Sequence, residues 1–152
     1  KSSKLGFKPK FIELANEINF KILKNIMDLI LRNLIKKKIS FYKAKILILG
    51  VAYKKNIDDL RESAALRLID MLKKKIKNID FSDPYIRGYI KTRSLVVNKK
   101  SVNITPKKLR KYDVVILMTD HDKFNYKNIY KNSNFIIDTR GRFKTNNKVI
   151  RG

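Results

Sequence analysis

The chain has 152 residues, 37 of them Lys or Arg against 13 Asp or Glu, for a formal charge of +24. A hydrophobic content of 43% is that of a folded domain with one core and too high for a disordered tail. With no cysteine, these residues hold no disulfide scaffold, thiolate metal site, iron–sulfur cluster or cysteine nucleophile, and one histidine, His121, leaves no histidine metal cage.

Residues 10–32 contain neither Gly nor Pro. Phe11, Leu14, Ala15, Ile18, Ile22, Ile26, Leu29 and Ile30 recur at helical spacing, which predicts one long helix started by Pro9. Such length suits a spine between domains or subunits, and its apolar stripe reads as core or interface. The most apolar stretch, 22–35, is broken by Lys24, Asp28 and Arg32, so no membrane span of about 20 residues is present. No export signal is visible, and the expectation is a soluble cytoplasmic protein.

Next, Lys45-Ile-Leu-Ile-Leu-Gly-Val-Ala-Tyr53 reads as a buried parallel strand ending at Gly50. A polar loop with Asp58 and Asp59 leads to a helix over 63–72. Residues 78–82 form a second strand, stopped by Asp83-Pro84. Residues 85–106 read as a loop-rich connection with one short strand. Further strands are expected at 112–118 and 134–138, with helical turns near 126–130 between them. This alternation predicts an α/β fold, a Rossmann-like, open, mostly parallel sheet covered by helices. The boundary falls near 40–43, giving a spine-helix region (1–40) and a sheet domain (41–152).

In such a sheet ligands meet the carboxyl ends of the strands. The segments there are 52–63, Asp83-Pro-Tyr85 and Asp138-Thr-Arg-Gly-Arg142. Gly50 stands without the second and third glycines of a dinucleotide fingerprint, so the usual phosphate cradle at a helix start is not expected. Adjacent Asp58 and Asp59 read as solvated or capping groups, and His121 as a satisfied loop histidine. The lysines are spread over the chain, among many Asn and Ile, as drift toward A/T-rich codons produces. They read as solvated surface. A basic module for polyanions or nucleic acid is the alternative, unsupported by any aromatic-interleaved RNA motif or zinc-finger spacing.

Four segments carry a family resemblance: Ile46-Leu-Ile-Leu-Gly-Val-Ala-Tyr-Lys-Lys-Asn-Ile-Asp-Asp-Leu-Arg-Glu-Ser63, Gly6-Phe-Lys-Pro-Lys-Phe-Ile-Glu-Leu-Ala-Asn-Glu-Ile-Asn19, Asp83-Pro-Tyr85, and the pair Val115-Ile-Leu-Met-Thr-Asp-His121 and Ile137-Asp-Thr-Arg140. In their order and spacing along the chain they resemble the UDP-glucose/GDP-mannose dehydrogenase family. The last pair resembles the final two strands of its carboxyl-terminal domain. The wording is most similar to the branch acting on UDP-N-acetylhexosamines.

The resemblance implies a carboxyl-terminal, UDP-sugar-binding portion of a larger enzyme. That enzyme oxidises a sugar C6 alcohol to a carboxylate with NAD, supplying surface polysaccharide precursors. The family's catalytic cysteine and main NAD site are absent here, so these residues alone are not expected to turn over. Lys54 matches a family lysine that contacts the UDP-sugar, with Tyr53 lining the same pocket. Arg140, at a strand end, suits a diphosphate or sugar hydroxyls through its planar fork; the competing reading is a salt bridge to Asp138 or Asp120. Arg61 resembles an arginine that reaches the NAD of another domain. Glu62 and Ser63 read as helix-start residues. Relatives dimerise through the central region, which implies a homodimer through the long helix.

Overall fold

Alternating runs of Ile, Leu and Val shape the centre of the molecule, because strands buried on both faces need apolar side chains in both directions. The computed structural model describes residues 10–92 and 95–152. Pro9 and the start of the Gly6 segment lie outside the described residues. In chain order the elements are α1 (Lys10–Lys36), β1 (Lys45–Leu49), α2 (Ala64–Lys73), β2 (Asn78–Ser82), β3 (Ile90–Lys91), β4 (Val96–Val97), α3 (Pro106–Leu109), β5 (Val114–Leu117), α4 (Tyr126–Asn132), β6 (Ile136–Asp138) and β7 (Val149–Arg151).

One five-stranded sheet runs β2-β1-β5-β6-β7 with every neighbouring pair parallel. Its register places Ile48 beside Phe81 and Ile116. One face buries Ile46, Ile48, Ile79, Phe81, Val114, Ile116 and Ile137 against α1 and α2. The other buries Leu47, Leu49, Val115, Leu117 and Ile136 with Leu109 of α3 and Ile129 of α4. The architecture is thus the predicted parallel α/β layer structure. Strand order reverses direction at the β1/β5 boundary, where open α/β sheets form their crevice. Among the described residues no helix is long and apolar enough to cross a membrane.

Helix α1 divides into two stretches. Leu23, Ile26, Ile30 and Leu34 are buried in the α2-side core, and each such side chain stabilises the packing by about 1.5–3 kcal/mol. Toward the amino end, Leu14, Ile18 and Ile22 follow one another at i, i+4 and remain 54%, 50% and 45% exposed.

Three features depart from the sequence reading. The 85–106 connection carries two short strands, the β3–β4 hairpin, instead of one. A one-turn helix, α3, follows it, capped by Thr105 and started by Pro106. The strand at 136–138 is not the last, because β7 adds to its edge. All three are two to four residues long, too short for periodicity to register.

The strand ends are tied by Asp83, just past β2. Its Oδ2 accepts from the backbone N–H of Val51 and Ala52 at 2.8 and 3.2 Å and faces His121 Nε2 at 3.0 Å. Its Oδ1 accepts from the N–H of Tyr85 and Ile86. Burial pushes the carboxyl up, but the bonds from His121, Tyr85 and Val51 outweigh it and hold Asp83 below the ordinary aspartate value.

Two outcomes are expected. Gly50 sits at φ +75°, and an added Cβ would be driven into the Thr119 backbone carbonyl. Gly50→Ala should lower stability by roughly 2–4 kcal/mol in urea denaturation, combining a left-handed backbone with a clash against main chain. A depressed folded value for Asp83 means stability fully present above the unfolded aspartate value of about 3.9 and lost as pH falls through the lower folded value. Urea midpoints should therefore drop below about pH 4, and Asp83→Asn should flatten that drop; an unchanged acid limb in the variant would assign acid sensitivity elsewhere.

Candidate functional site

Where β1 and β5 end, the chain opens a cleft of about 440 Å3 on the α1/α2 side of the sheet. Ala52, Tyr53 and Lys54 line it from the turn after β1, Met118 and Thr119 from the end of β5, and Arg140 from the end of β6. Helix α2 adds Ala64, Ala65 and Arg67 with Glu62 before it, while α1 closes one wall with Asn19 and Leu23. The cleft thus lies at the reversal of strand order, and its lining mixes alanines with the cations Lys54, Arg67 and Arg140.

Lys54 and Arg140 lie far apart in sequence and line this one cleft, with Tyr53 beside them. Lys54 Nζ stands 5.3 Å from the centre of the Tyr53 ring and has no carboxylate partner among the described residues. Its neighbour Lys55 is instead committed to Asp122 at 2.9 Å. Two adjacent lysines are separated in role by which of them meets an acid.

Arg140 is not in the salt bridges weighed for it. Asp138 spends its carboxylate on the backbone N–H groups of Arg140, Gly141 and Phe143 and on Arg151, and Asp120 pairs with Arg142. The Arg140 Nε–H donates to the Met118 carbonyl at the end of β5. That bond anchors the guanidinium at the cleft wall.

Arg61 is elsewhere. Its guanidinium is 89% exposed and grips Asp59 through two nitrogens, Nε at 3.0 Å and Nη2 at 2.8 Å. The pair holds the Asp59 carboxyl down at about 2. Arg61 therefore faces solvent instead of the cleft that holds Lys54 and Arg140. Ser63 is the cap of α2: its Oγ accepts from Leu66 N–H and donates to the Val51 carbonyl at 2.7 Å, which ties the helix start to the end of β1. Glu62 adopts φ +58° and pairs with Arg67 across the first turn of α2. Asp59 is bonded to Arg61 as described. His121 is fully buried with both ring nitrogens satisfied, as expected of a structural histidine.

Asn19, Arg67, Met118 and Thr119 were not singled out from sequence. Arg67 has a faint signal, one turn inside a capped helix that starts at the sheet's ligand edge. Asn19 closes the family-like segment on the long helix but was given no role there, because its place at the cleft depends on how α1 packs on the sheet. Among the described residues no group of three or more His, Asp or Glu side chains is placed to hold a metal ion.

Known proteins resemble the chain in sequence and in fold. Residues 47–145 match the model of the UDP-glucose/GDP-mannose dehydrogenase family, UDP binding domain. A UDP-N-acetyl-D-mannosamine dehydrogenase of Pyrococcus horikoshii is 30% identical over 138 residues, covering 88% of this chain and 30% of that protein. A UDP-N-acetyl-D-glucosamine 6-dehydrogenase of Salmonella typhi is 24% identical over 124 residues, 82% of this chain and 28% of that protein. The solved UDP-D-ManNAc dehydrogenase of P. horikoshii superposes with a TM-score of 0.71 at 26% identity, over 92% of this chain and 32% of that one. A GDP-mannose dehydrogenase of Pseudomonas aeruginosa, 20% identical, shares the fold with a TM-score of 0.70 over 97% of this chain and 35% of that one. The chain spans about three-tenths of the length of the curated relatives it matches. A sheet of this order, a cleft at its reversal point and a family match over most of the sheet make this chain a member of the UDP-glucose/GDP-mannose dehydrogenase family, of which it carries the UDP-binding domain.

Proposed function

We propose that the cleft binds the diphosphate of a UDP-sugar, a UDP-N-acetylhexosamine in the reading its relatives favour, for an NAD-dependent oxidation of the sugar C6 alcohol. The observation carrying this is the convergence of Lys54 and Arg140 on one cleft. Lys54 supplies a mobile point charge and Arg140 a planar fork fixed by the Met118 carbonyl, two complementary ways of meeting phosphate oxygens. Tyr53 offers an aromatic wall beside them. Arg67 adds a third cation, shared with Glu62.

The residues present do not fit a whole dinucleotide. Gly50 is a single glycine, and the carboxylate of Glu62 stands at the start of α2, where a pyrophosphate would need positive potential. Solvent-facing Arg61 can meet only a cofactor held on another domain. The nicotinamide site and the thiol of the reaction then lie outside these 152 residues, which contain no cysteine. In this proposal residues 1–40 form the spine and 41–152 the ligand domain, and the spine carries a homodimer through Leu14, Ile18 and Ile22.

Two measurements test the reading. In calorimetric titration with UDP, Lys54→Ala or Arg140→Ala should each weaken binding at least about tenfold, because a hydrogen bond to a charged group contributes about 1.5–3 kcal/mol. Lys100, which is exposed and stands over Tyr89, serves as the control; Lys99 does not, being bound to Asp80 at 2.7 Å. Equal losses for Lys54, Arg140 and Lys100, or displacement of UDP by short duplex DNA with a steep salt dependence, would reassign the binding to general charge attraction. In sedimentation, the chain should self-associate through this exposed apolar stretch, and Ile18→Glu with Ile22→Glu should abolish it. A wild-type monomer at high concentration would remove the dimer from the proposal.

A further inference from the structure

The loop that carries Lys54 has little apolar anchorage. Tyr53 is 46% and Ile57 37% exposed, and Lys54, Lys55 and Asp58 are exposed as well. Polar contacts to the turn after β5 hold it instead. Asn56, in a left-handed conformation at φ +63°, donates from Nδ2 to Asp122 Oδ2 and accepts from Asp122 N–H at 3.0 Å. Lys55 pairs with the same carboxylate, with both partners about half exposed, so water and salt weaken that tie. The contact to a buried partner is different in kind: Asn56 backbone N–H donates to His121 Nδ1 at 2.9 Å. A backbone N–H can only donate, so Nδ1 carries the lone pair and Nε2 the hydrogen, which points at Asp83. Tyr85 and Phe124 pack on the ring at 5.1 and 5.6 Å between centres and fix its plane.

We propose that His121 is a positioning residue for the ligand cleft: it transmits the rigidity of the Asp83 knot to the loop and so sets where Lys54 meets the diphosphate. The proposal rests on the reading of Lys54 as a phosphate ligand. His121 touches no ligand itself; it acts through Asn56, two residues from Lys54. Its two nitrogens have separable duties. Nδ1 holds the loop, and Nε2–H satisfies a buried carboxylate.

Two isosteric substitutions in the full, untagged chain separate them. His121→Asn places an amide oxygen near Nδ1 and keeps the acceptor for Asn56. His121→Gln places an amide N–H near Nε2 and keeps the donor for Asp83. A merely structural histidine predicts that UDP affinity follows thermal stability, with His121→Asn the worse of the two because it strands the buried carboxylate. The positioning role predicts the opposite order for the ligand. His121→Gln should weaken UDP about tenfold and speed amide exchange over residues 54–57 by a similar factor, while His121→Asn stays within about threefold in both. Because the chain has one histidine, its ring nitrogen signals are unambiguous, and they should show hydrogen on Nε2 alone.

Wild-type affinity and loop protection in His121→Gln would overturn the proposal, and this variant suffices if His121→Asn does not fold. Equal losses in both variants, or a hydrogen on Nδ1, would also overturn it. If wild type binds no UDP at all, the functional reading falls, and the exchange rates alone decide whether His121 positions the loop.

Discussion

A carboxylate removed from water must receive its hydrogen bonds from the protein, and Asp83 receives five. Two come from the turn after β1, two from the turn after β2 and one from the histidine after β5. The donors belong to three strands, so satisfying one anion fixes the relative positions of three strand ends. No apolar contact could do this as sharply, because dispersion is tolerant of small shifts and a buried charge is not. The knot reaches the cleft through Ala52, which lines it and donates its N–H to Asp83.

Next to the knot, Gly50 lets β1 turn where its backbone meets Thr119. The Thr119 hydroxyl closes the other side by donating to the Ala52 carbonyl at 2.7 Å, and Ser63 Oγ reaches Val51. The first residues beyond β1 are therefore pinned on every side, and the Tyr53 N–H donates onward to the Asp59 carbonyl at 2.8 Å, closing the base of the loop. The exposed loop that follows is thus tied at its root by these bonds and at its tip by Asn56.

The layer structure was legible because β1, β2 and β5 are apolar runs bounded by polar turns, and because α2 has helical spacing with a capping serine. The hairpin, α3 and β7 were not, being shorter than any period they could display. Lys54, Tyr53 and Arg140 were singled out through a matched motif, and all three line one cleft. Composition could never have chosen them in a chain of 37 cations. The Asp83–His121 pair escaped for a different reason. Its partners are 38 residues apart, and their meeting depends on β1 lying between β2 and β5, a fact of sheet order that no local pattern encodes. Arg61, inside the same motif, faces solvent through a purely local pair with Asp59, two residues away.

A net charge of +24 invites an account in which any anion binds anywhere, yet the acids divide the cations into classes. Asp122 takes Lys55, Asp80 takes Lys99, Asp59 takes Arg61 and Asp120 lies beside Arg142. Charges on the far surface are screened within about 8 Å at physiological salt, so they contribute to the general field but cannot define a site. What distinguishes the cleft is geometry: a lysine with no acid partner among the described residues, an arginine braced against a main-chain carbonyl, and several alanines in the same lining. With 13 acids against 37 bases most cations must go unpaired, so an unpaired lysine means nothing by itself. The surroundings of Lys54 differ from those of the other unpaired lysines in one respect: through Asn56 and His121 its loop is bonded to a buried aspartate.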